Sequence, residues 1–156
     1  MEGKALVTDL RTGVQGFAST TLLFHTHRAG EVIDVTDEVS SFVTAAHVRA
    51  GLLVAMVQHT TASLIVNEGE PELWKDIDAM LGRVVPQLGD YRHNLVLAGP
   101  DEHPNAHSHC QSLLLTSSIS VPVLNGRLVL GTYQRLLLIE LDHARPRRIT
   151  AALLGA

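Results

Sequence analysis

Two short stretches bring together side chains that can hold an ion, bind an anion or move a proton. The first runs Gln58-His59-Thr60-Thr61-Ala62-Ser63, then Leu64-Ile65-Val66, then Asn67-Glu68. In an unbroken strand His59, Thr61, Ser63 and Asn67 share one face while Thr60 and Glu68 point the other way. A turn or bulge near Thr60 brings both sets together. Taken alone, Thr and Ser are good strand residues and His59 fits a satisfied core histidine. The second stretch is Asn105-Ala106-His107-Ser108-His109. In an extended chain His107 and His109 face the same way and offer two imidazoles to one ion or anion, whereas on a helix they diverge. A tetrahedral ion needs three or four ligands, so further donors must come from His59, His93, Glu68 or Glu140.

The nine histidines are many for a chain with only twelve lysines and arginines, and His93, His103, His107 and His109 fall within seventeen residues. A neutral imidazole is the commonest metal ligand and titrates near neutral pH. Cys110 beside His109 invites a thiolate, but free cysteine is most often a small buried hydrophobe. Arg127, Arg135, Arg145, Arg147 and Arg148 cluster late in the chain and can pair with phosphate, although a solvated basic tail is the default. A glycine-rich phosphate loop, a GxSxG elbow and an HExxH helix are all missing from the sequence.

The elements that must position these groups alternate between strand and helix patterns. Gly16 to Thr26 is rich in β-formers and predicts a strand, with Gly30 in a turn. Val35, Val39, Phe42 and Val43 fall at helical spacing, with Thr36 placed to cap, which predicts a helix over Thr36 to His47. Leu52 to Val57 is a short apolar run suited to a strand buried on both faces, and its end delivers Gln58 and His59. Leu73, Trp74, Ile77, Met80, Leu81 and Val84 repeat at three and four, so Pro71 to Val85 is a second helix. A long polar loop, of a kind often functional, runs from about Gly89 to His109. Leu113 to Leu124 and Arg127 to Leu141 read as strands joined at Asn125-Gly126, a dipeptide suited to the positive φ values of a tight hairpin, and Ile149 to Leu154 as a last strand.

These patterns describe one α+β domain spanning 1–156, a mostly antiparallel, sandwich-like sheet with two helices. A length of 156 residues allows a substantial core. The formal charge of −4 argues against a nucleic-acid partner. The longest apolar run, Leu52 to Val57, falls far short of the ~20 residues that span a bilayer, and Glu2, Lys4 and Asp9 stand where a signal peptide needs apolar residues. No membrane partner is expected. With its single cysteine, the chain is assigned to the cytoplasm.

From about Gly16 to Ile149 the chain resembles the YjbQ family, also called the secondary thiamine-phosphate synthase family. The resemblance rests on Gln58 to Leu64 with Asn67-Glu68, on Asp34-Val35-Thr36-Asp37, on Tyr91-Arg92-His93-Asn94 and on Asn105 to His109. Asn125-Gly126-Arg127, Gly131-Thr132-Tyr133-Gln134 and Glu140 follow in the family's order. It implies a small α+β domain assembled as a homotrimer, with sites near subunit boundaries. It implies thiamine-phosphate synthase chemistry, weak, in which a thiazole phosphate nitrogen displaces the pyrophosphate of a hydroxymethylpyrimidine. Its implied residues are catalytic His59, His109, Glu68 and Glu140, and Thr60, Thr61, Ser63, Asn67, Asn105, Arg127 and Thr132 around a small phosphorylated metabolite. A divalent ion, zinc or magnesium, or an anion would sit among His59, His93 and His109, and His107 is added as a metal ligand from its spacing to His109. Two positions depart: His107 stands where aspartate is common, and Tyr133 where tryptophan is usual. Metal-assisted hydrolysis of a small phosphate or amide, and non-catalytic trimeric binding of an anionic metabolite, use the same donors and stand as alternatives.

Overall fold

Alternation of buried and exposed side chains folds the chain into two facing antiparallel sheets. The computed structural model describes the backbone of residues 6–14 and residues 16–96 and 103–156 entire. The expectations placed on Glu2, on Lys4 and on 97–102 of the polar loop lie outside the described residues. In chain order the elements are β1 (Leu6–Val14), β2 (Phe17–His25), β3 (Val32–Asp34), α1 (Thr36–Ala45), β4 (Ala50–Val57), β5 (Ala62–Glu68) and α2 (Pro71–Val84). A 3-10 turn at Arg92–Leu95 follows, then α3 (Ala106–Leu114), β6 (Ser118–Leu124), β7 (Arg127–Leu128), β8 (Gln134–Glu140) and β9 (Pro146–Gly155). The larger sheet has the order β1-β2-β9-β4-β6-β7 and the smaller the order β3-β8-β5.

The inner face of the larger sheet is set by period-two burial: Leu22 and Phe24 from β2, Leu53 and Val57 from β4, Val121 and Val123 from β6, Ile149 and Leu153 from β9. Leu64, Leu136 and Leu138 from the smaller sheet and Val39, Phe42 and Val43 from α1 complete this core. Each such side chain contributes about 1.5–3 kcal/mol by leaving water. Leu136 to Glu140 of β8 are all buried, so this strand is covered on both faces. The second cover is α2, whose Leu81 and Trp74 share a cavity with Ile139. The Glu70 carboxylate caps that helix, accepting from the backbone N–H groups of Glu72 at 2.8 Å and Leu73 at 2.7 Å.

Both expected helices form, and Asn125 and Gly126 adopt φ of 53° and 72° in the β6–β7 hairpin. Three expectations are corrected. An additional strand, β1, precedes the first expected one and pairs with β2. The segment read as loop and then strand from Asn105 to Leu114 is instead a third helix. Its first five residues, apart from Ala106, are weak helix formers; tertiary bonds hold that end, with Asn94 Oδ1 accepting from Ala106 N at 3.1 Å and Ser108 Oγ donating to the Leu141 carbonyl at 2.7 Å. The stretch from Arg127 to Leu141 is not continuous: β7 ends at Leu128 and β8 begins at Gln134. No described helix is long and apolar enough to cross a membrane.

The two sheets are joined at one rim by a buried ion pair. Arg147, near the start of β9, and Glu140, at the end of β8, are 1% and 0% exposed. Arg147 Nε donates to Glu140 Oε2 at 2.6 Å and its Nη2 to Oε1. Nη2 also donates to the Thr61 carbonyl at 3.2 Å and hydroxyl at 3.1 Å. Glu140 further accepts from Thr26 Oγ1 at 2.8 Å and the Asp142 N–H at 2.9 Å. Removing one partner strands a charge in the core. Arg147→Met is therefore expected to lose about 3–5 kcal/mol in denaturant titration, and the double change Glu140→Leu, Arg147→Met to recover part of it. A double variant no more stable than the single one would show that the stranded charge is not the cause.

Candidate functional site

The turn after β4 places His59, Thr60 and Thr61 at the rim where the sheets are tied. Together with His109 and Ser112 of α3, Ser117, Arg145 and Arg147, they line an open pocket of about 910 Å³. His59 Nε2 accepts from the Arg148 backbone N–H at 3.0 Å. That bond places the ring proton on Nδ1, leaving an N–H donor. Burial, then the positive charge of Arg147, lowers the His59 pKa below 6.5, with Glu140 opposing. His109 is likewise lowered, by burial and then by His93, with Asp142 opposing. The His93 and His109 rings meet edge to face with centroids 5.0 Å apart. At neutral pH the pocket thus presents neutral imidazoles beside fixed guanidinium charge.

Of the expected site residues, the structure gathers His59, Thr60, Thr61 and His109 in this pocket, with His93 behind His109. His107 is corrected. Residues two apart on a helix differ by roughly 200° in direction, so it leaves the His109 side and lines the cavity under α2. Its Nε2 lies 3.2 Å from Ser108 Oγ, and its Nδ1 is buried with no partner. Burial lowers its pKa also.

Glu68 and Asn67 are corrected by strand length. β5 carries them about 20 Å from its pocket end at ~3.3 Å per residue, to the end where Glu68 pairs with Gln134. Thr132 lies just before Gln134 at that far end. Arg127 is there as well, opposite Leu124, whereas the other end of β6, at Ser118, faces Met56 beside the pocket. Ser63 is fully buried in the core. Glu140 is out of reach of substrate, both its oxygens being committed to the buried ion pair, and it acts as a positioning residue. Asn105 lies beside Asp142, its Nδ2 3.5 Å from Oδ2, and is not part of the pocket lining. The expected metal set of His59, His93, His107 and His109 does not converge within the chain.

Reasoning from sequence missed a second cluster and undervalued the late arginines. Asp142, with its side chain 2% exposed, is surrounded by His103 Nε2 at 2.7 Å, Arg145 Nη2 at 2.6 Å and His143 Nδ1 at 3.2 Å. Burial pushes its pKa up, but the hydrogen bonds from His103, Arg145 and His143 outweigh that and hold it at about 2. The available signal was the set of charges Glu140-x-Asp142 and Arg145-x-Arg147 on either side of one short strand connection, which brings carboxylates and guanidinium groups within reach of one another.

The comparisons with known proteins agree with this architecture. The family described as UPF0047 protein YjbQ-like matches residues 20–156. A UPF0047 protein of Methanothermobacter thermautotrophicus is 38% identical over 134 residues, covering 86% of this chain and 90% of that protein. UPF0047 protein YjbQ of Escherichia coli is 39% identical over 124 residues, covering 78% and 86%. A hypothetical protein from Aeropyrum pernix has a TM-score of 0.80 at 37% identity, covering 88% of this chain and 98% of that one. A YbjQ-like protein of unknown function from Sulfolobus solfataricus has a TM-score of 0.78 at 31% identity, covering 90% and 99%. This chain belongs to the UPF0047 YjbQ-like family.

The lowered histidines set a pH dependence of stability. Unfolded imidazoles titrate at the ordinary 6.5, whereas folded His59, His107 and His109 titrate lower. Just below 6.5 the unfolded chain binds more protons, so stability is complete above that pH and is lost as pH falls through the window. Asp142, Glu31 and Glu70 act only below about 4.5, their carboxylates being held ionised to lower pH than usual. Thermal melts between about pH 7 and 5 should show a falling midpoint, less steep in His109→Gln. An unchanged slope in that variant counts against a neutral folded His109.

Proposed function

We propose that this UPF0047 YjbQ-like protein binds a small phosphorylated metabolite in the His59–His109 pocket and carries out thiamine-phosphate synthase-type chemistry there. The observation that supports this most is the lining of that pocket: two neutral imidazoles, the hydroxyls of Thr60, Ser112 and Ser117, and Arg145 within one open cavity. Arg145 meets the charge of a pyrophosphate group, and hydroxyls and the His59 Nδ1–H donate to its oxygens. As a thiazole nitrogen forms its bond to the pyrimidine methylene carbon, the bond to the pyrophosphate oxygen breaks and the electron pair leaves with it. Donors fixed on that oxygen stabilise the developing charge. Arg147 holds the pocket floor through Thr61 and repels a proton from His59. A divalent ion, zinc or magnesium, would share the leaving group's charge, although the pocket's own imidazoles do not supply three converging ligands.

A homotrimer belongs to the same proposal. The outer face of the larger sheet exposes Phe17, Leu154, Leu52 and Pro122 in one cross-strand row, with Met56 and Leu124 beside it. Such a patch suits burial against another copy. A cytoplasmic location is consistent with the single free Cys110.

Two measurements test the proposal. Light scattering at micromolar concentration should give about three times the 16.9 kDa chain mass, and a monomer would refute the trimer. The purified chain should form thiamine phosphate from its two phosphorylated precursors. His109→Ala should lower both that rate and pyrophosphate binding by at least roughly tenfold while shifting the melting midpoint little, since a half-buried rim imidazole leaves a small cavity. Full pyrophosphate binding by folded His109→Ala removes this residue from the site.

A further inference from the structure

The cluster around Asp142 contains three groups that compete for one carboxylate. His103 approaches from the segment before α3, and His143 and Arg145 from the turn between β8 and β9. One ligand atom from each of His103, Asp142 and His143 lies within 4.8 Å of the others, and no other such trio of His, Cys, Asp or Glu occurs among the described residues. The imidazole nitrogens stand 2.7 Å from Asp142 Oδ1 and 3.2 Å from Oδ2, and because tetrahedral ligands with bonds of about 2.0–2.2 Å are roughly 3.3–3.6 Å apart, an ion enters by replacing these hydrogen bonds with a small outward shift of the rings. The His103 and His143 rings stand at 77° with centroids 4.2 Å apart, both beside the same carboxylate.

A cation already stands between two members of this group. Arg145 Nη2 lies 2.6 Å from Asp142 Oδ2 and, at once, 2.5 Å and 2.8 Å from the two ring nitrogens of His143. A guanidinium N–H donates well to the carboxylate, but a neutral imidazole has a single acceptor nitrogen, so Nη2 cannot be hydrogen-bonded to both ring nitrogens of His143. Its own Nε is buried without a partner. Asp142 is therefore well served by Arg145 and His103, while Arg145 Nη2 and the His143 ring are poorly matched to one another. An ion small enough to sit between all three donors satisfies the carboxylate and the imidazoles together. Two nitrogens and one oxygen are the donor types that divalent zinc and its neighbours in the first transition row take, with a further position left open.

We propose that His103, Asp142 and His143 form a binding site for a divalent transition-metal ion, and that Arg145 is its displaceable stand-in, holding Asp142 when the ion is away. Its three ligands lie outside the lining of the His59–His109 pocket, to which it is joined through Arg145, and it does not depend on the synthase reading. It is tested by calorimetric titration of zinc into the metal-free chain at about pH 7.5, where ordinary imidazoles are neutral. One ion per chain is expected. His103→Ala and His143→Ala, both at partly exposed positions, should each weaken binding at least about tenfold. Arg145→Gln should tighten it several-fold, because the competing cation is gone. His93→Ala should leave it unchanged. Circular dichroism establishes that each variant is folded. The proposal is overturned if zinc does not bind, if the loss falls on His93→Ala instead, or if Arg145→Gln weakens binding as a simple loss of local structure does.

Discussion

A guanidinium and a carboxylate with no access to water must satisfy one another almost completely, and the Glu140–Arg147 pair imposes that constraint on everything around it. Its two residues end one strand and begin the next, in different sheets, so the pair fixes how the sheets meet at this rim. Thr26 and Thr61 contribute the remaining bonds, which ties β2 and the start of β5 to the same point. Buried ion pairs add little net stability compared with apolar packing of the same volume. What this one supplies is position, since few arrangements of four segments satisfy every polar atom at once.

The chemistry of the rim follows from that placement. A positive charge held inside the protein raises the cost of protonating any imidazole nearby, and His59 bears this directly. Asp142 bears the opposite effect: it stays ionised to about pH 2 because its neighbours are donors and cations. His109 lies between these influences, disfavoured as a cation by burial and by His93, and favoured by Asp142. The outcome is neutral nitrogen and hydroxyl donors close to fixed positive charge, an environment suited to an anionic ligand.

Much of this fold was legible because its strongest signals are periodic. The alternation in β2, β6 and β9, the three-and-four spacing of α2 and the Asn125-Gly126 turn each follow from burial or backbone sterics acting within a few residues. α3 was hidden because its stability comes from Asn94 and Leu141, partners distant in sequence. The motif from Gln58 to Glu68 misled in a different way. Its polar residues look like one constellation, but a seven-residue strand separates its ends, and adjacency in sequence became distance across the molecule. Arg147 was taken for a solvated residue because the charge spacing around the strand connection does not by itself show that it is buried on Glu140, seven positions back on another sheet.

The two acid–base pairs at the rim differ in one respect that bears on function. Arg147 and Glu140 are sealed, each with several partners, and neither can leave without exposing a charge to the core. Arg145 and Asp142 use the same chemistry, but the arginine side chain is 32% exposed while the carboxylate is 2% exposed. The buried member must always have a cation; the exposed member is free to be replaced, since its charge can be solvated once it moves. Such an asymmetric pair is an exchange site by construction, whereas the symmetric buried pair is a fixed joint. Placing the two side by side, on one strand turn, lets the rim hold its shape while its outer counter-ion changes.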